Sequence, residues 1–306
     1  MKKLKGYKKT EIGKIPEDWE VKTIGDTFNF LKTFSNSRGD LSNEKGDVYY
    51  IHYGDIHVKY NHFIDVNTAK LPSIHINKLK NPIEFIKNRD LIVADVSEDY
   101  AGMGKCIEIK NLKNEKVVAG LHTFLLRDKN NNFANGYKSY ILLNETVSKD
   151  VKKIATGIFV LGISKTNFKN LKIPLPPLPE QQKIAKILTT WDNAIESQEK
   201  LIFKKIEYKK GLSNKLLNGE LRFSEFKENW ETKKLGDLIE KWSDGGTPSR
   251  NNSKYFNGYI NWIVIDDIKR YIYNTKEKLT EEGLKKCSSE LWNKETIILS
   301  TGATNR

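Results

Sequence analysis

Sulfur-containing residues are scarce in this sequence: its 306 residues include two methionines and two cysteines, Cys106 and Cys287. Two cysteines so far apart cannot make a disulfide framework, and their scarcity is typical of the reducing cytoplasm. No apolar run approaches the roughly 18 residues of a membrane-spanning helix, and the lysine-rich N-terminal segment lacks the apolar stretch of a signal peptide. The sequence therefore predicts a cytoplasmic protein without a membrane partner.

Signatures of catalysis and of metal binding are also missing. There is no G-x-x-x-x-G-K-[ST] phosphate loop, and 80–85 lacks the second proline of a sequence resembling an amino-methyltransferase site. His52, His57 and His62 are spaced by five residues, which suits neither a helical pair nor the usual zinc spacings. The acidic residues between 90 and 99 are interpreted as a solvated loop. We expect no catalytic residue and no metal site.

Basic residues outnumber acidic ones. There are 52 Lys and Arg against 39 Asp and Glu, which gives a formal net charge of +13. Such an excess favours a polyanionic partner, and nucleic acid fits better than a membrane surface. The alternative is that an AT-rich genome enriches lysine and asparagine codons without a functional reason.

An internal repeat organises the chain. The segment 17–26 (EDWEVKTIGD) returns at 228–237 (ENWETKKLGD), and Asp55-Ile56 aligns with Asp267-Ile268. Further on, 88–94 (NRDLIVA) resembles 293–299 (NKETIIL), a short apolar strand in both copies. Three matches in the same order predict a duplicated domain. The second copy is incomplete, because the sequence ends seven residues after Leu299.

The first copy is predicted to be a mixed domain of the α+β class. Short apolar runs rich in β-branched and aromatic residues predict strands at 48–53, 91–96, 105–109 and 122–127, separated by polar loops. A helical pattern follows at 137–154.

One long helix is predicted after a proline run. Four of the eight prolines lie between Pro174 and Pro179, where they form a rigid elbow. Pro179 suits the first helical position, Glu180 complements the helix dipole, and Asn218-Gly219 is a stop signal. About 40 helical residues would span on the order of 60 Å.

Apolar residues follow the helix at steps of three and four. A lone helix cannot bury such a seam, so the pattern predicts a partner helix; the alternative is a long core helix of a globular domain. The predicted helix-pairing and subunit-interface residues are Ile184, Leu188, Trp191, Ile195, Ile202, Leu212 and Leu216.

These features together resemble a known family. The stretch IPLPPLPEQQKIAKIL (173–188) closely resembles the start of the central conserved region in specificity subunits of type I restriction–modification systems. The repeated W-x-x-x-x-[IL]-G-D motif at Trp19 and Trp230, and VVAGLHTFLLR (117–127), resemble other parts of such subunits. The resemblance covers the whole chain, which ends within the second recognition domain.

The resemblance implies a non-catalytic subunit of a type I deoxyribonuclease and adenine methyltransferase complex, which directs methylation and restriction of foreign DNA such as that of phage. Residues 1–177 would form a target recognition domain, 178–220 a conserved spacer helix, and 221–306 a partial second recognition domain. The expected partners are double-stranded DNA, modification (methyltransferase) subunits and restriction (translocase and nuclease) subunits. S-adenosylmethionine, ATP and Mg would be bound by those partners, with no cofactor in this chain. Because the second conserved helix is missing, two chains could pair through their single helices.

DNA contacts are expected from lysine and arginine to phosphates, and from arginine, lysine, asparagine or glutamine to base edges. The candidates lie in loops that the strands would project: Arg38, His57, Lys59, Tyr100, Lys105 and His122. Two alternatives stay open. The chain could be a coiled-coil adaptor or degenerate half-subunit without independent DNA recognition, or a stand-alone methyltransferase or nuclease.

Overall fold

Short strands and two large hydrophobic clusters make up the first part of the molecule. The computed structural model describes residues 6–44, 46–269 and 271–300. The last six residues of the predicted third domain, 301–306, lie outside the described residues. The chain forms two units, Met1–Gly211 and Leu212–Arg306, and the division falls within the long helix.

The first unit contains fifteen strands in its described residues. They are β1 Tyr7–Thr10, β2 Gly13–Pro16, β3 Glu20–Thr23, β4 Phe28–Leu31, β5 Val48–Ile51, β6 Phe63–Asp65, β7 Ser73–Ile74, β8 Leu91–Ala94, β9 Val96–Ser97, β10 Cys106–Lys110, β11 Val117–Ala119, β12 Thr123–Asp128, β13 Ala155–Thr156, β14 Leu161–Ile163 and β15 Lys172–Leu175. The helices are α1 Ile24–Thr27, α2 Tyr53–Lys59, α3 Glu145–Ile154, α4 Lys165–Lys169 and α5 Leu178–Leu217, with 3-10 turns at Arg38–Asp40, Ile76–Lys78 and Lys138–Leu143. All four predicted strand regions are confirmed.

A five-stranded mixed sheet, in the order β4-β12-β8-β10-β6, lies at the centre of this unit. The alternating direction of side chains along β8 divides the core in two. Leu91 and Val93 contribute to one hydrophobic cluster, and Ile92 and Ala94 to the other. The sheet is therefore covered on both faces, which explains why β8 is apolar at every position.

The predicted helix at 137–154 is interrupted. Lys138–Leu143 is a 3-10 turn, and α3 begins at Glu145. Asn144 causes the break, because its side chain accepts the backbone N–H groups of Thr146 and Val147 at 3.1 and 3.2 Å. Asparagine is a strong N-cap residue, so Asn144 starts a new helix. The apolar periodicity across 137–154 hid this boundary from the sequence prediction.

The long helix is confirmed, and so is its stop signal, since Gly219 has a φ of +74°. Gln181 fastens the helix to the first unit. Its buried side chain accepts the N–H of Ala134 at 2.9 Å and donates to the carbonyls of Asn132 and Pro176 at 3.0 and 2.8 Å. The indole N–H of Trp19 donates to Glu180 at 2.9 Å. The Glu180-Gln181 pair thus positions the first turn of α5.

The described part of the second unit has little regular structure beyond the end of α5. It contains α6 Leu235–Leu238, β16 Phe256–Trp262, β17 Glu277–Leu279 and α7 Glu281–Lys285, with 3-10 turns at Ser253–Tyr255 and Ile265–Asp267. β16 and β17 pair antiparallel. Within the described residues of the whole chain, no helix combines the length and the apolar character that crossing a membrane requires.

The strand predicted at 293–299 is not formed, so this expectation was wrong. In the first unit the corresponding strand, β8, is paired on both sides by β10 and β12. Within the described residues, 293–299 pairs with no strand. An unpaired apolar run has no ladder to join, and Ile297 and Leu299 are exposed.

Candidate nucleic-acid interface

Helix α2 organises the predicted contact residues. His52 caps its start, where its Nδ1 accepts the N–H of Gly54 at 3.1 Å. His57 and Lys59 were expected on a loop, but they lie on this helix. The expectation was wrong for a local reason. His52, directly after strand β5, caps and starts a helix in a short polar stretch that is typical of a loop.

Asp55 is the charged centre of the site. Arg38 binds it through two hydrogen bonds of 2.8 Å, from Nη1 and Nη2, and Lys59 binds it at 2.8 Å from one helical turn away. Burial acts to raise the pKa of Asp55, but the hydrogen bonds from Arg38 and Lys59 outweigh it and hold the pKa below the ordinary value. The carboxylate is therefore ionised and fixes both cations in place.

The two cations keep hydrogen-bonding capacity for a ligand. A guanidinium carries five N–H donors and an ammonium three, and only some of them are used by Asp55. The Arg38 and Lys59 side chains are 53% and 47% exposed, whereas Asp55 is 1% exposed. The anion is thus buried beneath its cations, and the surface presented to solvent is positive.

Tyr53 lies among three imidazole rings. The ring of His52 is 4.6 Å from that of Tyr53, and the rings of His122 and His57 meet it edge-on at 5.3 and 6.3 Å. Burial lowers the pKa of His52. Aromatic faces and imidazole N–H groups are suited to stacking on bases and to donating to phosphates.

His122 joins the cluster from the turn before β12. Its backbone has a φ of +55°, and its Nδ1 lies 3.6 Å from Oδ1 of Asp95. Burial raises the pKa of Asp95. The unusual backbone conformation directs His122 towards Tyr53, so a strained turn contributes to the cluster.

His57 and Lys105 lock α2 to the neighbouring loop. The His57 Nε2–H donates to the carbonyl of Val96 at 2.9 Å, and the Lys105 ammonium donates to the carbonyl of His57 at 2.9 Å. Burial lowers the pKa of Lys105. These two residues hold α2, β9 and the start of β10 together.

Tyr100 lies on the loop between β9 and β10 and is 54% exposed. The loop is held by the N–H of Gly102, which donates to the Asp99 carboxylate at 2.7 Å. Gly102 also packs against the His57 ring, so closely that a Cβ there would lie 3.2 Å from the imidazole. Five of the six candidates are thus linked through α2 by direct contacts, and Tyr100 lies on an adjoining loop.

Sequence reasoning missed the residues that organise the site. Asp55, Tyr53 and His52 were not predicted, although Asp55-Ile56 recurs as Asp267-Ile268. That recurrence was interpreted only as a mark of duplication. A buried carboxylate repeated at the same place in two copies is the signal that could have identified Asp55.

The predicted helix-pairing residues fall into three groups. Leu188, Trp191, Ile195 and Ile202 are exposed, whereas Leu212 and Leu216 are half-buried. Ile184 differs, because it packs against the core of the first unit. Ile184 therefore helps to attach α5 to the first unit, as do the buried Gln181 and Ala185.

The described residues contain no group of three or more His, Cys, Asp or Glu arranged to hold a metal ion. The two cysteines are unpaired; Cys106 is buried and hydrogen-bonds the carbonyl of Ser139.

Sequence comparison assigns this architecture to a class of DNA specificity modules. Residues 16–207 and 227–305 match the family described as "Type I restriction modification DNA specificity domain". Since these segments include most of the sequence, the chain belongs to that family.

Curated relatives come from the same class. The chain is 33% identical over 267 residues to the type I restriction enzyme MjaX specificity subunit of Methanocaldococcus jannaschii, with 83% of this chain and 57% of that protein covered. The MjaVIII specificity subunit of the same organism is 30% identical, with 97% and 67% covered. The chain thus spans little more than half of the MjaX subunit's length.

Solved structures of S subunits are also similar. The S subunit from M. genitalium gives a TM-score of 0.42 at 16% identity, covering 64% of this chain and 45% of that one. The HsdS subunit from Thermoanaerobacter tengcongensis gives 0.41 at 14% identity, covering 61% and 40%. Family membership rests on the sequence matches.

Proposed function

We propose that this chain is a DNA-recognising subunit of a type I restriction–modification complex, without catalysis of its own. The observation that carries the proposal is the Asp55 cluster, in which a buried carboxylate holds Arg38 and Lys59 at the surface beside a Tyr and His group. The net charge of +13 supplies long-range attraction to duplex DNA. The first unit would recognise one part of the DNA target.

Within this proposal, the contact residues divide by chemistry. Lys59 and Lys105 bind phosphates, while Arg38 has the fork geometry for a guanine edge. His57, His122 and Tyr100 form the aromatic part of the surface. Catalysis, with its S-adenosylmethionine, ATP and Mg, is assigned to the modification and restriction subunits.

Helix α5 is proposed to set the spacing between two recognition domains and to dock the modification subunits. Because its exposed seam has no partner within the described residues of the first unit, a second copy of the chain is the proposed mate. Charge along the helix favours an antiparallel arrangement. Residues 178–199 contain four acidic residues and two lysines, whereas 200–217 contain six lysines and one glutamate. Antiparallel pairing places opposite charges together.

The DNA proposal is tested with the chain co-expressed with its modification subunit. We expect Lys59→Ala to weaken binding to all sequences and to lower the slope of log affinity against log salt by about 1. Arg38→Ala is expected to relax the methylation pattern in methylome sequencing. Lys172→Ala is the control, because Lys172 is a half-buried, ion-paired lysine on a separate two-stranded sheet.

Unchanged affinity and unchanged methylation in both variants would remove these residues from the interface. If the wild-type complex assembles but fails to shift DNA, the chain is an adaptor. Methyl transfer by the pure chain with S-adenosylmethionine would show a catalytic protein instead.

Helix pairing is tested by light scattering at micromolar concentration. We expect a dimer that Ile195→Glu dissociates, while Asn193→Glu, on the opposite side of the helix from the seam, leaves it intact. Spin labels at Lys210 should lie roughly 35–40 Å apart in an antiparallel pair and about 10 Å apart in a parallel one. A wild-type chain that is a clean monomer contradicts self-pairing.

A further inference from the structure

An apolar tip projects from the first unit. Ile158 and Phe159 are 92% and 89% exposed, and Val160 is 55% exposed. They lie between β13 and β14 and are not among the residues predicted to contact DNA. Large apolar side chains exposed side by side are costly in water, so such a group indicates a binding role.

The tip is a tight turn with a fixed backbone. Gly157 has a φ of +135°, and a Cβ at this position would lie 2.0 Å from the carbonyl oxygen of Val160. Only glycine allows this close approach. On either side, Thr156 pairs with Gly162, and Leu161 pairs with Ser97. The three side chains are therefore presented by a constrained hairpin.

The hairpin is connected to the Asp55 cluster through strand β9 and two histidine side chains. β14 pairs with β9, whose Val96 carbonyl accepts the His57 N–H. The N–H of Ile163 donates to the carbonyl of Asp95 at 2.8 Å, and the Asp95 carboxylate contacts the His122 ring. Because β14 and β9 are antiparallel, the tip and the Tyr100 loop leave the sheet at the same edge.

The lysines that flank the hairpin in sequence favour a polyanion. Lys152 and Lys153 end α3 just before β13, where Lys153 pairs with Asp150, and Lys165, which begins α4 just after β14, lies over the ring of Phe30. On the adjoining loop lie two acidic residues, Glu98 and Asp99, and the Asp99 carboxylate is engaged by Gly102. A protein partner fits less well, because lysine is depleted in protein–protein interfaces. Three side chains are also far too few for the roughly 800 Å² that each partner of a stable protein complex buries. An apolar wedge with lysines nearby fits DNA.

Resting on the proposed function, we infer that Ile158, Phe159 and Val160 form a wedge that inserts between neighbouring base pairs of the bound duplex. Apolar side chains inserted from the minor groove partly unstack a base step and bend the helix. The tip would thereby contribute to sequence recognition, because some base steps open more easily than others. The Asp55 cluster would hold the phosphates beside it.

The test uses the full chain in complex with its modification subunit and a duplex carrying 2-aminopurine at successive positions. We expect fluorescence to rise at one step with the wild type and to stay quenched with Phe159→Ser. The affinity for DNA should fall about tenfold, the range expected for losing one base contact. Energy transfer between dyes at the duplex ends should show a smaller bend.

Two further variants guard against trivial explanations. Leu143→Ser removes another exposed apolar side chain, 61% exposed, from a different place on the first unit and should leave fluorescence and affinity unchanged. Gly157→Val keeps all three apolar residues but distorts the turn, and should act like Phe159→Ser. Circular dichroism melts confirm that each variant is folded.

The outcomes separate the two proposals. A wild-type complex that binds DNA without unstacking any step overturns the wedge and leaves the proposed function intact. Loss of co-elution with the modification subunit in Phe159→Ser, with DNA affinity unchanged, assigns the tip to a protein contact and also overturns the wedge. A wild-type complex that fails to bind DNA overturns both.

Discussion

Arg38 in the first unit and Arg250 in the second are separated by 212 residues, the interval that also separates Asp55 from Asp267. In the first unit these residues pair, with Arg38 bound to Asp55 through two hydrogen bonds. In the second, Arg250 binds Glu277 instead, and the carboxylate of Asp267 accepts the backbone N–H groups of Val264 and Lys276 at 3.3 Å. Equivalent residues therefore have different partners.

The difference lies in what surrounds each pair. Asp55 is on a helix packed against a sheet that is covered on both faces, so its position is fixed by the core. In the second unit, the described residues after α5 form one two-stranded sheet, two short helices and 3-10 turns. The bond between the arginine and the aspartate is thus formed in the unit where a sheet covered on both faces fixes the aspartate.

The largest expected effect concerns a buried ion pair of the first unit. Lys138 and Glu108 are 1% and 0% exposed, 3.6 Å apart, and Glu108 Oε2 has no hydrogen bond. We expect Lys138→Met to lower the unfolding free energy of the first unit by about 3–5 kcal/mol, because it leaves a buried carboxylate without its cation. Urea denaturation measures this. Glu108→Gln together with Lys138→Met should recover most of the loss; no recovery would contradict the explanation.

Equivalent isoleucines provide a direct comparison of core depth. Ile92 is fully buried in β8, whereas Ile297, its counterpart in the repeat, is 84% exposed. We expect Ile92→Ala to cost about 2–5 kcal/mol and Ile297→Ala less than about 0.5 kcal/mol. The unfolding transitions of the two variants measure this. Equal losses would show that the repeat is packed in both units.

The aspartates should differ for the same reason. Asp55→Ala removes charge-assisted bonds to two cations and should cost about 2 kcal/mol, while Asp267→Ala removes two long backbone bonds and should cost about 1 kcal/mol. Only Asp55→Ala should also weaken DNA binding. A comparable loss of DNA affinity in Asp267→Ala would place the second unit in the interface as well.

Acid should reveal the same asymmetry. The folded-state pKa of Asp55 lies below its ordinary value of 3.8. Its contribution is therefore fully present above that value and is lost as the pH falls from it through the lower folded pKa. We expect the stability difference between wild type and Asp55→Asn to shrink below pH 4. A difference that stays constant down to pH 2 would contradict the ion-pair assignment.

The smallest effect is expected at Arg250. Its pair with Glu277 is exposed on both sides, so Arg250→Ala should cost less than about 1 kcal/mol. Its methylation pattern should match the wild type, in contrast to Arg38→Ala. A relaxed pattern in Arg250→Ala would mean that both arginines recognise DNA.

The sequence was enough to name several residues of the candidate site as candidates for DNA contact. Strand positions followed from apolar runs, and Arg38, His57, Lys59 and Lys105 followed from the chemistry of DNA contacts. What pattern reasoning could not predict was the helix under His57 and Lys59, since a single cap at His52 decided it. It also could not predict the apolar tip, because burial depends on neighbours that are distant in sequence.

The sequence by itself determined the long helix, the family and the duplication, because proline, glycine and heptad spacing act locally and motifs are read directly. Tertiary structure decided which charges meet. Arg38 and Asp55 are 17 residues apart and joined by no local periodicity, and His122 reaches Tyr53 only through the sheet. It also decided that Ile184 packs against the first unit while Trp191 stays exposed, because the Gln181 hydrogen bonds set where α5 leaves the domain.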